Sequence, residues 1–525
     1  MNACKGLRLD KAAFMLDREA SEKINLLSIP EGCTVTWHSE NAAIASVDEG
    51  GLVTGIRAGD AYVRATARLE GEILVYAVAS CLVSVGYTGQ NPTLPPSWGL
   101  FIADGEPHVF DGKMYVYGSR DYPNGYLEGA PKKDWCADDY HVIWSEDLVH
   151  WTDGGVALSI DDIPEDEYGR GTRLWAPDCF RGPKDGRYYL AFCTNGGHVF
   201  MADGPSPAGP FGNVKRVFIG DEPVRCIDPA VLVDDDDRVY IALPRDFCIA
   251  ELDPKDYARI LPESKVVVRP MLEAADPGYY PFEGPSLRKR DGRYYYMYIT
   301  SRINEKVPTR IDYFIGDKPL DVSTWRYGGY MIETRDFIRA GNVHGSFCDF
   351  GDESYLSYHR MAPGYERFTR MMNLDKICFG PDGIARRVIR TSCGVKGSFS
   401  VGEVIRAASA CVFSGGREDN RLVRDGEAGY AYVLLSADEW VGYRYATLGK
   451  AVSQVEISYR ADADAVLVMT VVDEGSVQTV KLPVPATDSA WVTARFPLST
   501  CSDKAEIRFA LCAPGECALS WFRFL

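Results

Sequence analysis

Between residues 104 and 359 the chain repeats one frame five times: an opening residue, an apolar strand, a turn of Gly or Asp, then a strand carrying tyrosine. The copies open at Asp104 (DGEPHVFDGKMYVYGS), Ala176 (APDCFRGPKDGRYYLAFC), Asp228 (DPAVLVDDDDRVYIALP), Glu283 (EGPSLRKRDGRYYYMYIT) and His344 (HGSFCDFGDESYLSYH). A unit this short cannot bury its own apolar face, so successive copies must pack on one another. Spaced to hold one small antiparallel sheet each, they read as the blades of a five-bladed β-propeller. Radial repetition brings the start of every innermost strand to the central axis, so Asp104, Asp228, Glu283 and His344 are expected in one funnel.

The flanks are also all-β. Short alternating strands with turns at Pro30-Glu-Gly, Glu49-Gly-Gly and Ala58-Gly-Asp make residues 1–87 a small β-sandwich with Trp37 in its core. A segment rich in Gly, Pro and Ser, Tyr87 to Gly99, leads into the propeller, which is assigned to residues 88–395. Alternation returns over residues 396–525, read as a jelly-roll β-sandwich. Between the first two blades, Tyr122 to Asp139 forms a long insertion carrying Trp135, a candidate rim for the funnel.

Composition narrows the partners. A net charge of -17 spread over many acids disfavours nucleic acid and polyanions, and no apolar run is long enough to span a membrane. The 15 cysteines show no CxxC pair or metal-ligand spacing, so most are read as small core residues. The first residues lack the charged and apolar regions of a signal peptide; the expectation is a cytoplasmic protein or, if a leader has been removed, an extracellular or cell-surface one.

Three carboxyls and a histidine in one funnel suggest acid–base chemistry, in which one carboxyl gives a proton and another, as carboxylate, takes one. Glu283, set against Pro281 and Phe282, is the acid candidate, because apolar contact penalises its charged form. Asp104 is the base candidate, and Asp228 the third carboxylate that tunes and orients the acid. Singly, each fits the commoner role of a strand-start acid bonded to its own turn; their recurrence along one repeat favours chemistry. Asp178, two residues beyond the repeat position, is read as structural, Trp175 as a sugar-stacking candidate, and Asp234-Asp-Asp-Asp as a solvated turn.

The strings Ala103-Asp-Gly-Glu-Pro-His-Val-Phe, Leu174-Trp-Ala-Pro-Asp, Ile227-Asp-Pro-Ala-Val, Phe282-Glu-Gly-Pro and His344-Gly-Ser-Phe, in this order, resemble glycoside hydrolase family 43. The resemblance implies an inverting glycosidase acting on α-L-arabinofuranosides or β-D-xylosides, hence a partner among plant cell-wall arabinoxylan, arabinan or xylan. It requires no cofactor, implies a calcium ion in the channel near His344, and matches Arg370 to an arginine that hydrogen-bonds substrate. A core histidine is the alternative for His344, and His359 and Arg367 are read as structural. Thr34 to Asp48 with Gly51 to Ala61 resembles the bacterial Ig-like group 2 domain, and Asp438-Glu-Trp-Val-Gly-Tyr with Ser489-Ala-Trp-Val resembles carbohydrate-binding module family 6. In that module the acids usual for structural calcium are replaced by Arg406-Ala-Ala-Ser and Ser520; Tyr430, Tyr432 and Trp491 are its sugar-stacking candidates, and Trp440 is read as core.

The leading function is an exo-acting α-L-arabinofuranosidase, with β-xylosidase and endo-arabinanase as rivals on the same fold. A propeller that binds carbohydrate without cutting it is the rival from another class, disfavoured by the intact carboxyls. An invertase-like enzyme lacks its Asn-Asp-Pro signal here.

Overall fold

A computed structural model of the protein describes residues 6–70, 75–125, 133–303, 309–334, 343–362, 364–414, 422–424, 431–437, 439–450, 452–499, 502–512 and 515–525. Tyr430, Asp438 and part of the Tyr122 to Asp139 insertion lie outside the described residues.

The five-bladed all-β reading is borne out. Blade I has the strands Phe101–Phe110, Lys113–Asp121, Asp139–Ser145 and Trp151–Ser159, paired in that order. Blade II runs Leu174–Arg181, Tyr188–Thr194, His198–Gly204 and Gly212–Arg216, and blade IV Tyr279–Arg290, Arg293–Arg302, Thr309–Gly316 and Arg326–Glu333. Blade III is built on Ala230–Val233, Val239–Leu243, Cys248–Asp253 and Asp256–Ile260, with short strands added at its margin. Blade V has three described strands, Phe347–Phe350, Glu353–Met361 and Arg370–Ile377. Alternating aromatic and aliphatic side chains face the neighbouring blades. Tyr296 and Tyr298 of blade IV, for example, are buried against Ala242 and Ile249 of blade III.

The ring closes between blades V and I by side-chain packing. Phe101, Ile102, Met114 and Val116 meet Met371, Met372 and Leu374 in one buried cluster. The closing seam also carries the ion pairs of the site described below.

The N-terminal sandwich is not an independent bead. Its strand Ala13–Leu16 runs parallel to Val75–Val85 and antiparallel to the outer strand of blade I, with Phe14 opposite Thr152 and Ala13 opposite Asp153. One eight-stranded sheet therefore continues from Cys33–Ser39 into the propeller and covers an edge that would otherwise present open backbone groups. Trp37 is half-buried against the sandwich core.

The segment after Tyr87 is equally built in. Asn91 is buried, accepts from the Leu374 amide at 2.9 Å and donates to Asp375 at 3.1 Å. Gln90 donates to the Val404 carbonyl at 2.6 Å and accepts from the Arg406 amide at 3.1 Å, joining the propeller to the C-terminal unit. Arg406 also donates to the Pro92 carbonyl at 3.2 Å. The C-terminal unit is a two-sheet sandwich whose long strands include Trp440–Leu448, Gln454–Ala461, Ala465–Asp473 and Glu516–Phe524. Among the described residues no helix is long and apolar enough to cross a membrane.

Candidate active site

Three of the five blades open with a local break in pairing. The register between the first two strands shifts between Ala103 and Glu106 in blade I, Trp175 and Asp178 in blade II, and Glu283 and Ser286 in blade IV. Residues in these breaks, and at the opening of blade III, take left-handed backbone, with φ of 53° at Asp104, 24° at Ala176, 48° at Asp228 and 60° at Gly284. Such strain at a non-glycine residue persists where surrounding structure enforces it, commonly at functional sites. Gly284 is constrained by space as well as by φ: a Cβ there would lie 2.4 Å from Ile299.

This register corrects one detail of the sequence reading. Asp104 aligns with Asp228 and Gly284, so Glu283 stands one residue earlier, level with Trp175 and Ile227. Both repeat positions face one cavity of about 290 Å³. The position aligned with Asp104 supplies Asp104, Asp228 and His344, and the position before it supplies Trp175, Ile227 and Glu283; Phe282, Arg370 and, from the insertion, Trp135 and Cys136 complete the wall. The structure thus brings together Asp104, Asp228, Glu283, Trp175, Phe282, His344 and Arg370. Trp491 lies instead on the C-terminal sandwich, where its ring packs edge-on to Tyr432 at 5.5 Å beneath Arg460.

Asp104 is held as a carboxylate. Burial alone would raise its pKa, but Arg370 donates to Oδ1 at 2.9 Å, His344 Nδ1 lies 3.4 Å away and Ser119 donates to Oδ2 at 2.6 Å. Led by Arg370 and His344, these contacts hold it well below the usual carboxylate range. His359 Nδ1 accepts from the Asp104 amide at 3.0 Å, which fixes a neutral ring, and burial lowers its pKa. Arg370 spends Nε and Nη2 on Asp121, at 2.8 and 3.0 Å, and is buried. It thus ties Asp104 to Asp121 from across the blade V–blade I seam while also lining the cavity.

Asp228 differs. Burial pushes it up to about 6, eased by His344 and reinforced by Asp104. Its Oδ2 accepts from the Gly284 amide at 3.2 Å, so it grips the backbone immediately after Glu283 and orients that carboxyl. His344 is an imidazolium at neutral pH: burial opposes its charge, but Asp104, Asp228 and Glu106 together raise it to about 9.

One layer deeper lies a set of groups that the repeat alignment passed over. Two residues past the strained position come Glu106, Asp178, Ser286 and Ser346. Ser286 donates to Glu106 at 2.9 Å, Arg288 pairs with Glu106, and Asp178 contacts His108 at 2.5 Å and accepts from the Val231 amide at 2.8 Å. Burial raises Glu106 to about 7 despite Arg288. Asp178 is fully buried in the structural role expected of it. The signal that could have found this layer was present: each repeat has a small or acidic residue two places on.

Calcium takes six to eight oxygen ligands. Here Asp104 is matched by Arg370, Glu106 by Arg288, and His344 carries a proton, so the charges that would draw a cation are already met. Among the described residues no group of three or more His, Cys, Asp or Glu side chains converges as metal ligands would. The residues present do not fit a calcium ion held by the chain's own side chains, and the chemistry open to the cavity is that of its carboxyl groups. Asp234 departs from the solvated turn expected of it: it is buried, pairs with Lys289 and accepts from Tyr294 at 2.6 Å.

The model of glycosyl hydrolases family 43 matches residues 111–385, the greater part of the propeller. The chain belongs to that family. As a family 43 glycosidase it is 32% identical over 343 residues, 58% of this chain and 67% of the relative, to a xylosidase/arabinosidase of Thermoclostridium stercorarium. It is 26% identical, over 58% of its length and 52% of the relative, to an arabinoxylan arabinofuranohydrolase of Paenibacillus polymyxa. A family 43 arabinoxylan arabinofuranohydrolase from Bacillus subtilis, solved with cellotetraose, covers 83% of this enzyme and 99% of its own chain at 20% identity and a TM-score of 0.47. The bacterial Ig-like domain (group 2) model matches residues 4–72 of the enzyme.

Proposed function

We propose that this family 43 enzyme is an inverting exo-glycosidase that releases α-L-arabinofuranosyl residues from arabinoxylan or arabinan. The observation that carries the reading is the placing of carboxyls from different blades in one small cavity. Asp104 is locked as a carboxylate by Arg370, as a base that activates water must be, while Glu283 stands on another blade against Phe282 as the acid for the leaving oxygen. Asp228 sets the acid's backbone through Gly284 and titrates near 6, close to the range in which a proton must be handled.

The aromatic walls suit a single terminal pentose. Trp175 donates its indole N–H to the Trp135 carbonyl at 3.3 Å, and Trp135 packs on Phe368 at 4.8 Å, so the insertion and blade II brace each other over the cavity. Rings fixed in this way offer apolar faces to a sugar. A β-D-xylosidase is the second reading, favoured by the similarity to the xylosidase/arabinosidase of Thermoclostridium stercorarium.

The test is the product profile over time. Arabinose as the first product from arabinoxylan and branched arabinan supports the proposal. Xylose from xylo-oligosaccharides in its place moves the function to the second reading, and early oligomers from linear arabinan contradict exo action.

A further inference from the structure

Beside the catalytic cavity lies a second, more open hollow of about 370 Å³ that shares Ile227 and Phe282 with it. Phe282 precedes the acid candidate Glu283. A general acid must stand on the leaving-group side of the scissile bond, so a hollow joined to the cavity through Phe282 is where the chain bearing the leaving oxygen would lie.

Its other walls are unusual for this protein. Gly196 and Gly197 leave one side bare, and space enforces this at Gly196, where a Cβ would lie 2.7 Å from the His198 ring. The opposite side presents Arg225 and Arg245, both exposed. Arg245 donates to the Arg225 carbonyl at 3.3 Å, which sets the two residues side by side. Neither guanidinium has a carboxylate partner among the described residues, although the chain carries a net charge of -17. Asp246, the nearest acid in sequence, faces Lys265 at 3.6 Å instead. His198, bridged to Arg225 through the backbone, is held neutral by burial and by Arg216 and Arg225, so it adds no charge of its own. Two arginines without a carboxylate partner beside a sugar-sized hollow are matched by a carboxylate, whose two oxygens fit the guanidinium fork.

We propose that this hollow is a leaving-group subsite selecting polysaccharide chains that carry a uronic acid, with Arg225 and Arg245 binding its carboxylate. The inference rests on the arabinofuranosidase reading and names the acceptor chain for it. The enzyme would remove arabinose preferentially where the backbone is acidic.

The experiment compares kcat/KM of the full chain on an arabinofuranosylated xylo-oligosaccharide with and without one glucuronosyl substituent, at low and high salt. The uronosylated substrate is expected to be favoured about 10-fold at low salt, less in 0.5 M NaCl because exposed charges are screened, and the ratio is expected to fall to about one in R225Q/R245Q. Competition by trigalacturonate against competition by a glucuronosylated xylo-oligosaccharide lacking arabinose tells a pectic carboxylate from a xylan one, and either supports carboxylate recognition. Equal rates on the two substrates in the unaltered enzyme, or a preference that survives R225Q/R245Q, overturn the assignment while leaving the arabinofuranosidase reading intact. No pentose from either substrate overturns that reading, and the subsite with it.

Discussion

Arg370 donates to Asp104 at 2.9 Å from one nitrogen and holds both oxygens of Asp121 with two others, so a single guanidinium bridges the closing seam of the propeller and sets the charge of Asp104, the proposed base. Replacing it separates the two duties. Arg370→Lys keeps a charge but cannot span both carboxylates. Its kcat is expected to fall about 100-fold, with the acid limb of the pH profile moving to higher pH as Asp104 loses its strongest partner. Arg370→Gln leaves Asp121 without its buried partner and Asp104 with His344 alone for countercharge, and should cost about 3–5 kcal/mol of stability. PH–rate profiles and denaturant unfolding of both variants read these outcomes; an unmoved acid limb would detach Arg370 from the base.

Asp228 is a place where function works against stability. Its folded pKa, about 6, lies above the ordinary 3.8 because it is buried beside Asp104. The folded state therefore binds the proton more tightly, an advantage present below 3.8 and lost as pH rises through 6. Above that, a buried charge is carried at a cost of roughly 3 kcal/mol. Asp228→Asn should raise Tm at pH 8, show little gain at pH 4, and lose activity by about 100-fold or more. Thermal unfolding at the two pH values, with kcat at pH 6–7, checks the exchange.

His344 runs the other way. Its imidazolium is favoured by three acids, which raise it to about 9 from 6.5. The stability this gives is complete below 6.5 and disappears as pH rises through 9. Relative to His344→Gln the unaltered protein should be more stable by roughly 3 kcal/mol at pH 6 and by little at pH 10. Urea midpoints across that range would show it, and a difference independent of pH would assign the residue to packing alone.

The N-terminal sandwich gives a further expectation. Ala13–Leu16 covers the outer strand of blade I, the Ala12 amide donates to the Asp153 carbonyl at 2.7 Å, and Trp98 donates to Ser84 at 2.8 Å. Removing residues 1–85 should uncover that edge, lower Tm and promote self-association. Size-exclusion chromatography and thermal unfolding of the truncated protein measure both; an equally stable monomer would show that the shared sheet is incidental.

The blades were legible because a repeated two-strand frame leaves the same apolar and turn residues in the same places, and Asp104, Asp228, Glu283 and His344 followed from radial geometry. What pattern could not show was the offset. The break in pairing inserts residues without an obvious marker, so Glu283 and Asp104 looked equivalent although it is Gly284, not Glu283, that shares the strained backbone of Asp104. Arg288 was invisible for a related reason: within a strand it reads as one more surface cation, and only the ring brings it to Glu106. Gln90 and Asn91 sit in a stretch whose Gly and Pro content describes a linker, yet their amides are used up on distant backbone. Local composition sets a segment's freedom; long-range partners decide whether it is kept.

The most direct test is hydrolysis by the enzyme and its Glu283→Gln variant of two kinds of α-L-arabinofuranoside, one with an activated aryl leaving group and one an arabinoxylo-oligosaccharide. If Glu283 protonates the leaving oxygen, the variant loses about 1,000-fold or more on the oligosaccharide, and far less on the activated aryl glycoside, whose leaving group departs with little protonation. Equal losses on both substrates, or an active variant, would contradict the assignment of Glu283 as the acid.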